Sequence, residues 1–281
     1  MEGLEEKLIQ QKWVTPEQLA LAAQESKRLG KNIWVALSGL GILSEEDIAV
    51  FFAEESGIPY VRISDYQISE EVIRSVNEDF CRENLILPLF KIKSVLFVAC
   101  ANPLDTVIAD TLAAKTGYDI ETLIAYSRSI IQAQDRYYGL QDKFFQAQDF
   151  IINRKPTRSL PLYRRSKRIP LSLPVWITVE DKELTLSYSS PVEGITKDIS
   201  SGGTAIGLHV FLYLPKGTML NVEFRTQMQL PQAPVIKAKA QIVYCRMEKG
   251  LRYFLGVKFI EIEDNAREEL FKLAEQKNLD F

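Results

Sequence analysis

The sequence predicts an α+β chain of two domains: an N-terminal helical repeat with a small α/β sheet, then a six- to seven-stranded antiparallel β-barrel carrying a terminal helix. Three observations predict it. A length of 281 residues exceeds what one hydrophobic core usually serves. A duplicated helical motif opens the chain, and short runs of alternating apolar residues fill its C-terminal third.

Composition narrows the functional classes. With 46% hydrophobic and 25% charged residues and a net charge of -3, the chain is globular, and any basic site must be local. No run approaches the roughly 18 apolar residues of a membrane span, and the start MEGLEEK lacks the basic n-region of a signal peptide. The expectation is a cytoplasmic protein with no transmembrane segment. Cys81, Cys100 and Cys245 are widely spaced among apolar neighbours and read as reduced, buried thiols. The single histidine, His209, lies in the run IGLHVFLYL and reads as structural, leaving little material for histidine catalysis or a metal site. No Gly-x-x-x-x-Gly-Lys-Ser/Thr phosphate loop occurs. Neither an enzyme nor a bound cofactor is expected.

In the repeat, Leu8, Trp13, Val14, Thr15, Glu17 and Leu19 recur 29 residues later as Leu37, Ile42, Leu43, Ser44, Glu46 and Ile48. Each copy reads as an apolar pair, then Thr15 or Ser44 as N-cap with Gln18 or Asp47 three residues on, then a helix. Pro16 reinforces the first start. Leu19, Ala22 and Ala23 share one face of the first helix, and Ile48, Phe51 and Phe52 share one face of the second. Beyond Gly57, residues 59–63 read as a short strand, and Ser69-Glu70-Glu71 opens a helix running to about Glu78. Strands are expected over 85–90, 95–100 and 120–125, with helices over 105–115 and 129–138.

Gly57-Ile58-Pro59-Tyr60-Val61, Leu87-Pro88-Leu89-Phe90, the run from Val98 to Asp105, Thr116-Gly117-Tyr118 and Tyr137-Tyr138-Gly139 follow in a definite order. With the duplicated unit they make residues 1–140 resemble the N-terminal domain of the type II secretion and type IV pilus assembly ATPases, the GspE or MshE N-terminal domain. Some members of that family bind cyclic di-GMP through an Arg-Leu-Gly element at the start of each copy. Here the aligned positions hold Gly3-Leu4-Glu5 and Asn32-Ile33-Trp34, and Arg28-Leu29-Gly30 falls four residues early. The missing arginine removes the planar fork that stacks on and donates to guanine, so a protein-docking role is favoured for this domain.

Residues 141–162 read as a linker, and 163–281 as the second domain. From Arg154 to Arg168 the chain carries seven basic residues and no acidic one. This stretch suits a solvated linker, a clamp for an anion, or a nucleic-acid or membrane surface, and the near-neutral remainder argues against nucleic acid. Strands are expected over 175–179, 184–188, 194–199, 203–208, 219–224, 236–245 and 253–259, with a helix over 264–276 whose Ala266, Leu270, Leu273 and Ala274 face the barrel.

Two elements of this barrel carry chemistry: Arg164-Arg165-Ser166-Lys167-Arg168 before its first strand, and Asp198-Ile199-Ser200-Ser201-Gly202-Gly203 between two strands. Together they resemble the two-part signature of PilZ domains, Arg-x-x-x-Arg and Asp/Asn-x-Ser-x-x-Gly. The resemblance covers about residues 160–281 and implies a cyclic di-GMP site. Arginine offers a fork for guanine O6 and N7 or for phosphate, which assigns Arg164 and Arg168, with Arg165 and Lys167 as secondary contributors. The Asp198 carboxylate suits the guanine N1–H and amino donors, Ser200 supports that contact or the turn beside it, and Gly202 and Gly203 allow close backbone approach or positive φ. The expected function is a cyclic di-GMP receptor that passes binding at the linker to a protein partner in pilus, secretion or motility control. The alternative is a scaffold of the same machinery that binds no nucleotide.

Overall fold

A computed structural model describes residues 2–101, 106–139, 168–200, 203–225 and 235–276. These residues divide into two compact units.

The first unit holds the described parts of 1–63, 69–89 and 94–139. The duplication folds as two helical pairs, α1 (Glu2–Gln10) with α2 (Pro16–Leu29), and α3 (Ile33–Gly39) with α4 (Glu45–Ser56). Both copies use the same bonds. The Leu8 carbonyl accepts from the amides of Trp13 and Val14, and the Leu37 carbonyl accepts from those of Ile42 and Leu43. Thr15 and Ser44 close reciprocal capping boxes with Gln18 and Asp47. Trp34, Phe51 and Phe52 form the aromatic heart of the bundle, their ring centroids 4.7–5.8 Å apart.

The helix expected from Ser69 to Glu78 is instead two short ones, α5 (Glu70–Ile73) and α6 (Glu78–Glu83). Asn77 takes extended backbone and its side chain accepts from the Phe80 amide, which starts a second helix where continuation was expected. Arg82 is buried and binds Glu78, Asp135 and the Gly139 carbonyl at 2.6–2.9 Å, tying α6 to the end of α8 (Ser127–Tyr138). The sheet runs β1 (Ile86–Ile92), β2 (Val95–Cys100), β3 (Asp119–Ile124). β2 and β3 are parallel, with α7 (Thr106–Thr116) in the connection that parallel pairing requires. Residues 59–63 make a single parallel bridge, Tyr60 to Ile124, in place of the expected strand.

The second unit holds 64–68, 90–93 and the described residues from 168 onward. Its strands are β4 (Arg168–Pro170), β5 (Pro174–Val179), β6 (Val192–Ser200), β7 (Ala205–Val210), β8 (Met219–Arg225), β9 (Val235–Glu248) and β10 (Arg252–Ile262). The order is β4-β6-β5-β8-β9-β10-β7, and β7 also pairs with β6, so six antiparallel strands close a barrel and β4 is an added seventh. Residues 184–188 contribute only Thr185 and Leu186, paired with Gln67 and Tyr66. Ile177, Ile199, Ile206, Leu208, Val222, Phe224 and Leu255 fill the interior with no exposed surface. Helix α9 (Asp264–Gln276) buries Leu270 and Ala274 completely, with Ala266 and Leu273 at the margin. Among the described residues no helix is long and apolar enough to cross a membrane.

Candidate functional site

The predicted motifs meet where β4 lies against the end of β6. Arg168 pairs with Ser200, Ile169 with Ile199 and Pro170 with Asp198. Pro170 is tolerated because β4 is an edge strand. Thr196, almost fully buried, donates to the Leu171 carbonyl and accepts from the Leu173 amide at 2.7 Å each, pinning the bend that follows β4.

A bulge aims the acid. Thr196 pairs with Leu208 and Asp198 with Gly207, so Lys197 is an extra residue in β6. Lys197 and Asp198 both leave the barrel interior, while Ile199 returns to it. Lys197 is exposed, and its ammonium lies 4.9 Å above the Phe254 ring.

Arg168 and Asp198 are bonded to each other. Nε donates to Asp198 Oδ1 at 2.8 Å, Nη2 lies 2.6 Å from the same oxygen, and Nη1 donates to the Ala205 carbonyl at 3.2 Å. With side chains only 18% and 12% exposed, the pair is shielded from water yet still reachable. Both contacts fall on Oδ1, so the guanidinium is held by one carboxylate oxygen. The sequence expectation, in which each group meets guanine separately, did not contain this pairing.

Ser200 holds the turn. Its hydroxyl accepts from the Thr204 and Ala205 amides at 3.1 Å each, and the Ser200 carbonyl accepts from Gly203 at 2.8 Å. Gly203 needs to be glycine twice over. Its φ is +61°, and a Cβ there would come within 2.9 Å of Cγ of Arg267, which α9 lays across the turn. Of the expected residues, Arg168, Asp198, Ser200 and Gly203 come together, whereas Arg164, Arg165, Lys167, Gly202 and the linker lie outside the described residues.

Next to Asp198 the outer surface is unusual in a way sequence reasoning missed. Asp198 pairs with Gly207, Gly207 with Gly256, and Gly256 with Tyr244, which makes one transverse row across four strands. A Cβ on Gly207 would lie 2.7 Å from both Asp198 Oδ1 and Phe254 Cζ, and one on Gly256 would lie 2.1 Å from the Tyr244 ring. The two rings therefore occupy the room the glycines vacate. Single glycines inside strands were the available signal for such close approach.

Beyond Phe254 lies a charged rim. His209 stacks edgewise on Phe254 at 5.2 Å, and its Nε2 is 3.1 Å from Glu248. Burial, helped by the nearby cations Arg252 and Lys197, pushes the His209 pKa below its usual value against the raising effect of Glu248. Burial also opposes ionisation of Glu248, but the donated bond from Arg246 and the neighbouring His209 and Lys197 hold its carboxyl below the usual range. Among the described residues no cluster of His, Cys, Asp or Glu could hold a metal ion.

The fold and this site define a class: a helical-repeat and sheet module followed by an antiparallel barrel with an arginine–aspartate pair and a Ser-x-x-Gly turn beside it. Residues 163–276 match the PilZ domain family and residues 56–143 the MshEN domain family, so the chain carries an MshEN domain followed by a PilZ domain. It is 30% identical over 136 residues to the type IV pilus assembly ATPase PilB of Myxococcus xanthus, a match covering 48% of this chain and 24% of that protein. The chain thus spans about a quarter of that curated relative. Among solved structures it is similar to MshE with cdg, at 25% identity, 48% and 98% coverage of the two chains and a TM-score of 0.43. It is also similar to the PilZ domain with c-di-GMP of YcgR from Escherichia coli, at 14% identity, 42% and 94% coverage and a TM-score of 0.32.

Proposed function

We propose that this chain is a cyclic di-GMP receptor whose PilZ domain binds the ligand at the junction of linker and barrel and passes the event to a protein partner. The observation that carries the reading is the shielded Arg168–Asp198 pair set against the Ser200–Gly203 turn. With Oδ1 already held by Arg168, Oδ2 is the oxygen presented to the guanine N1–H and amino group, as a charge-assisted acceptor. Arg164 and Arg165 supply forks for the guanine acceptor edge and the phosphates, Ser200 keeps the turn in shape, and Gly202 and Gly203 let the backbone approach. Linker closure around a dianion follows from the basic run between Arg154 and Arg168.

The protein acts without catalysis in this reading, in the cytoplasm, with domains at 1–140 and 163–281 joined by 141–162. The MshEN match and the pilus ATPase relative support an output in type IV pilus or secretion control, exerted by docking of the first domain. One observation favours the scaffold alternative: the Arg168 fork is already engaged by Asp198 and Ala205. Isothermal titration of the full chain with cyclic di-GMP separates the two. The receptor reading expects saturable heat with micromolar or tighter affinity; no heat at high micromolar ligand leaves the scaffold.

A further inference from the structure

Resting on the receptor reading, we propose that Tyr244 is the stacking shelf for the second guanine of the ligand, at the far end of the glycine row that starts at Asp198. Neighbouring strands stand about 4.8 Å apart, so the three steps Asp198–Gly207–Gly256–Tyr244 span on the order of 14 Å across the barrel wall. Along that span the two middle positions carry no side chain of their own. The Tyr244 ring covers the space over Gly256. Phe254 fills the neighbouring space over Gly207 and is almost completely buried, while Tyr244 keeps part of its surface open. A flat, partly exposed ring on the same outer surface and in the same transverse row as a guanine-binding carboxylate suits a ligand with two purines on one macrocycle.

Charge agrees with the placement. Lys197 and Arg246 lie 4.9 and 5.8 Å from the Phe254 ring centroid, on the same outer surface as Tyr244. Both are largely exposed, and Arg246 also reaches Glu248 at 3.0 Å. They are exposed cations that can approach a phosphate. Base–aromatic stacking accepts any purine face, so the shelf contributes affinity and the requirement for two bases, while Asp198 chooses guanine.

The test uses the full chain, cyclic di-GMP, and GMP as a one-base probe, with Tyr244→Leu, Tyr244→Phe, Tyr244→Trp and Arg168→Ala. Tyr244→Leu should weaken cyclic di-GMP about ten- to a hundredfold and leave GMP within about twofold, while Tyr244→Phe stays near wild type. A ring acting only as a structural prop would instead move both ligands together. In Tyr244→Trp, saturating cyclic di-GMP should quench the added indole emission relative to the wild-type chain. The shelf is overturned by Tyr244→Leu binding cyclic di-GMP like wild type, or by unquenched Tyr244→Trp, while Arg168→Ala loses binding; the receptor reading then stands. A wild-type chain that binds no cyclic di-GMP overturns both.

Discussion

Removing Arg168 should damage the barrel and the ligand site together, by amounts that follow from its contacts. Arg168→Ala deletes two contacts to Asp198 Oδ1 and one to the Ala205 carbonyl, and leaves a carboxylate with little access to water. Hydrogen bonds to charged groups contribute about 1.5–3 kcal/mol, and the residual exposure of both side chains places this pair near the middle, at about 2 kcal/mol. Unfolding entropy of about 2.1 cal/mol/K per residue, over a domain of roughly 110 residues, converts that to a Tm lower by about 9 °C. Ligand affinity should fall by a further 1–3 kcal/mol or so, roughly five- to a hundredfold, because the guanine acceptor loses its orientation as well as its neighbouring fork. Arg168→Lys keeps the charge without the fork and should fall between. Differential scanning calorimetry and titration of the same samples provide both numbers. An Arg168→Ala chain that melts within a degree of wild type and binds cyclic di-GMP equally well would refute the assignment.

Gly203→Ala should destabilise the barrel by about 1–2 kcal/mol, since it forces a β-carbon into a left-handed backbone and against the Arg267 stem; adding Arg267→Ala should recover part of the loss, and a strictly additive double mutant would argue against the contact. Arg28→Ala should leave cyclic di-GMP affinity unchanged, because Arg28 is an exposed partner of Glu25, whereas Asn32→Ala should cost about 1 kcal/mol of stability as the lost N-cap of α3; a drop in affinity for either would reopen the first domain as a ligand site. His209 has a folded pKa below 6.5, so its neutral form is the one the fold prefers: stability is fully present above that value and declines as acidification forces the proton on. Melting curves at pH 7.5 and 5.5 should therefore show a larger fall for wild type than for His209→Gln, and parallel falls would remove His209 as the cause.

Much of the architecture was legible because the local signals agreed with the tertiary result. Thr15 and Ser44 announce their helices by side-chain chemistry alone, and the alternation of Ile236, Ala238, Ala240 and Ile242 survives as the buried side of β9. Failures came where one polar residue outweighed a pattern, as at Asn77, or where a segment formed a single bridge at Tyr60 because one partner, Ile124, was in reach. At the candidate site, Asp198, Ser200 and Gly203 could be singled out from their likeness to the PilZ signature. The Arg168–Asp198 bond could not, since it depends on β4 folding back on β6. Gly207, Gly256 and Tyr244 stand far apart in sequence and become neighbours only through strand register.

The extra residue at Lys197 has a consequence for how β6 can change. Side chains along a strand alternate inward and outward, so an uninterrupted β6 carrying Val192, Gly194 and Thr196 on its inner face would also turn Asp198 inward. The bulge reverses the parity of everything after it. It sends Asp198 and Ser200 outward and Ile199 inward, so the half of the strand that carries them runs on the opposite count from the half before it. Deleting Lys197 would remove the bulge and restore plain alternation with Asp198 still outward and Ile199 still inward, whereas a β6 that kept Lys197 but lost the bulge would bury the carboxylate and expel Ile199 in one step. The outward carboxylate on this wall therefore rests on the bulge at Lys197, a feature of backbone register rather than of side-chain type.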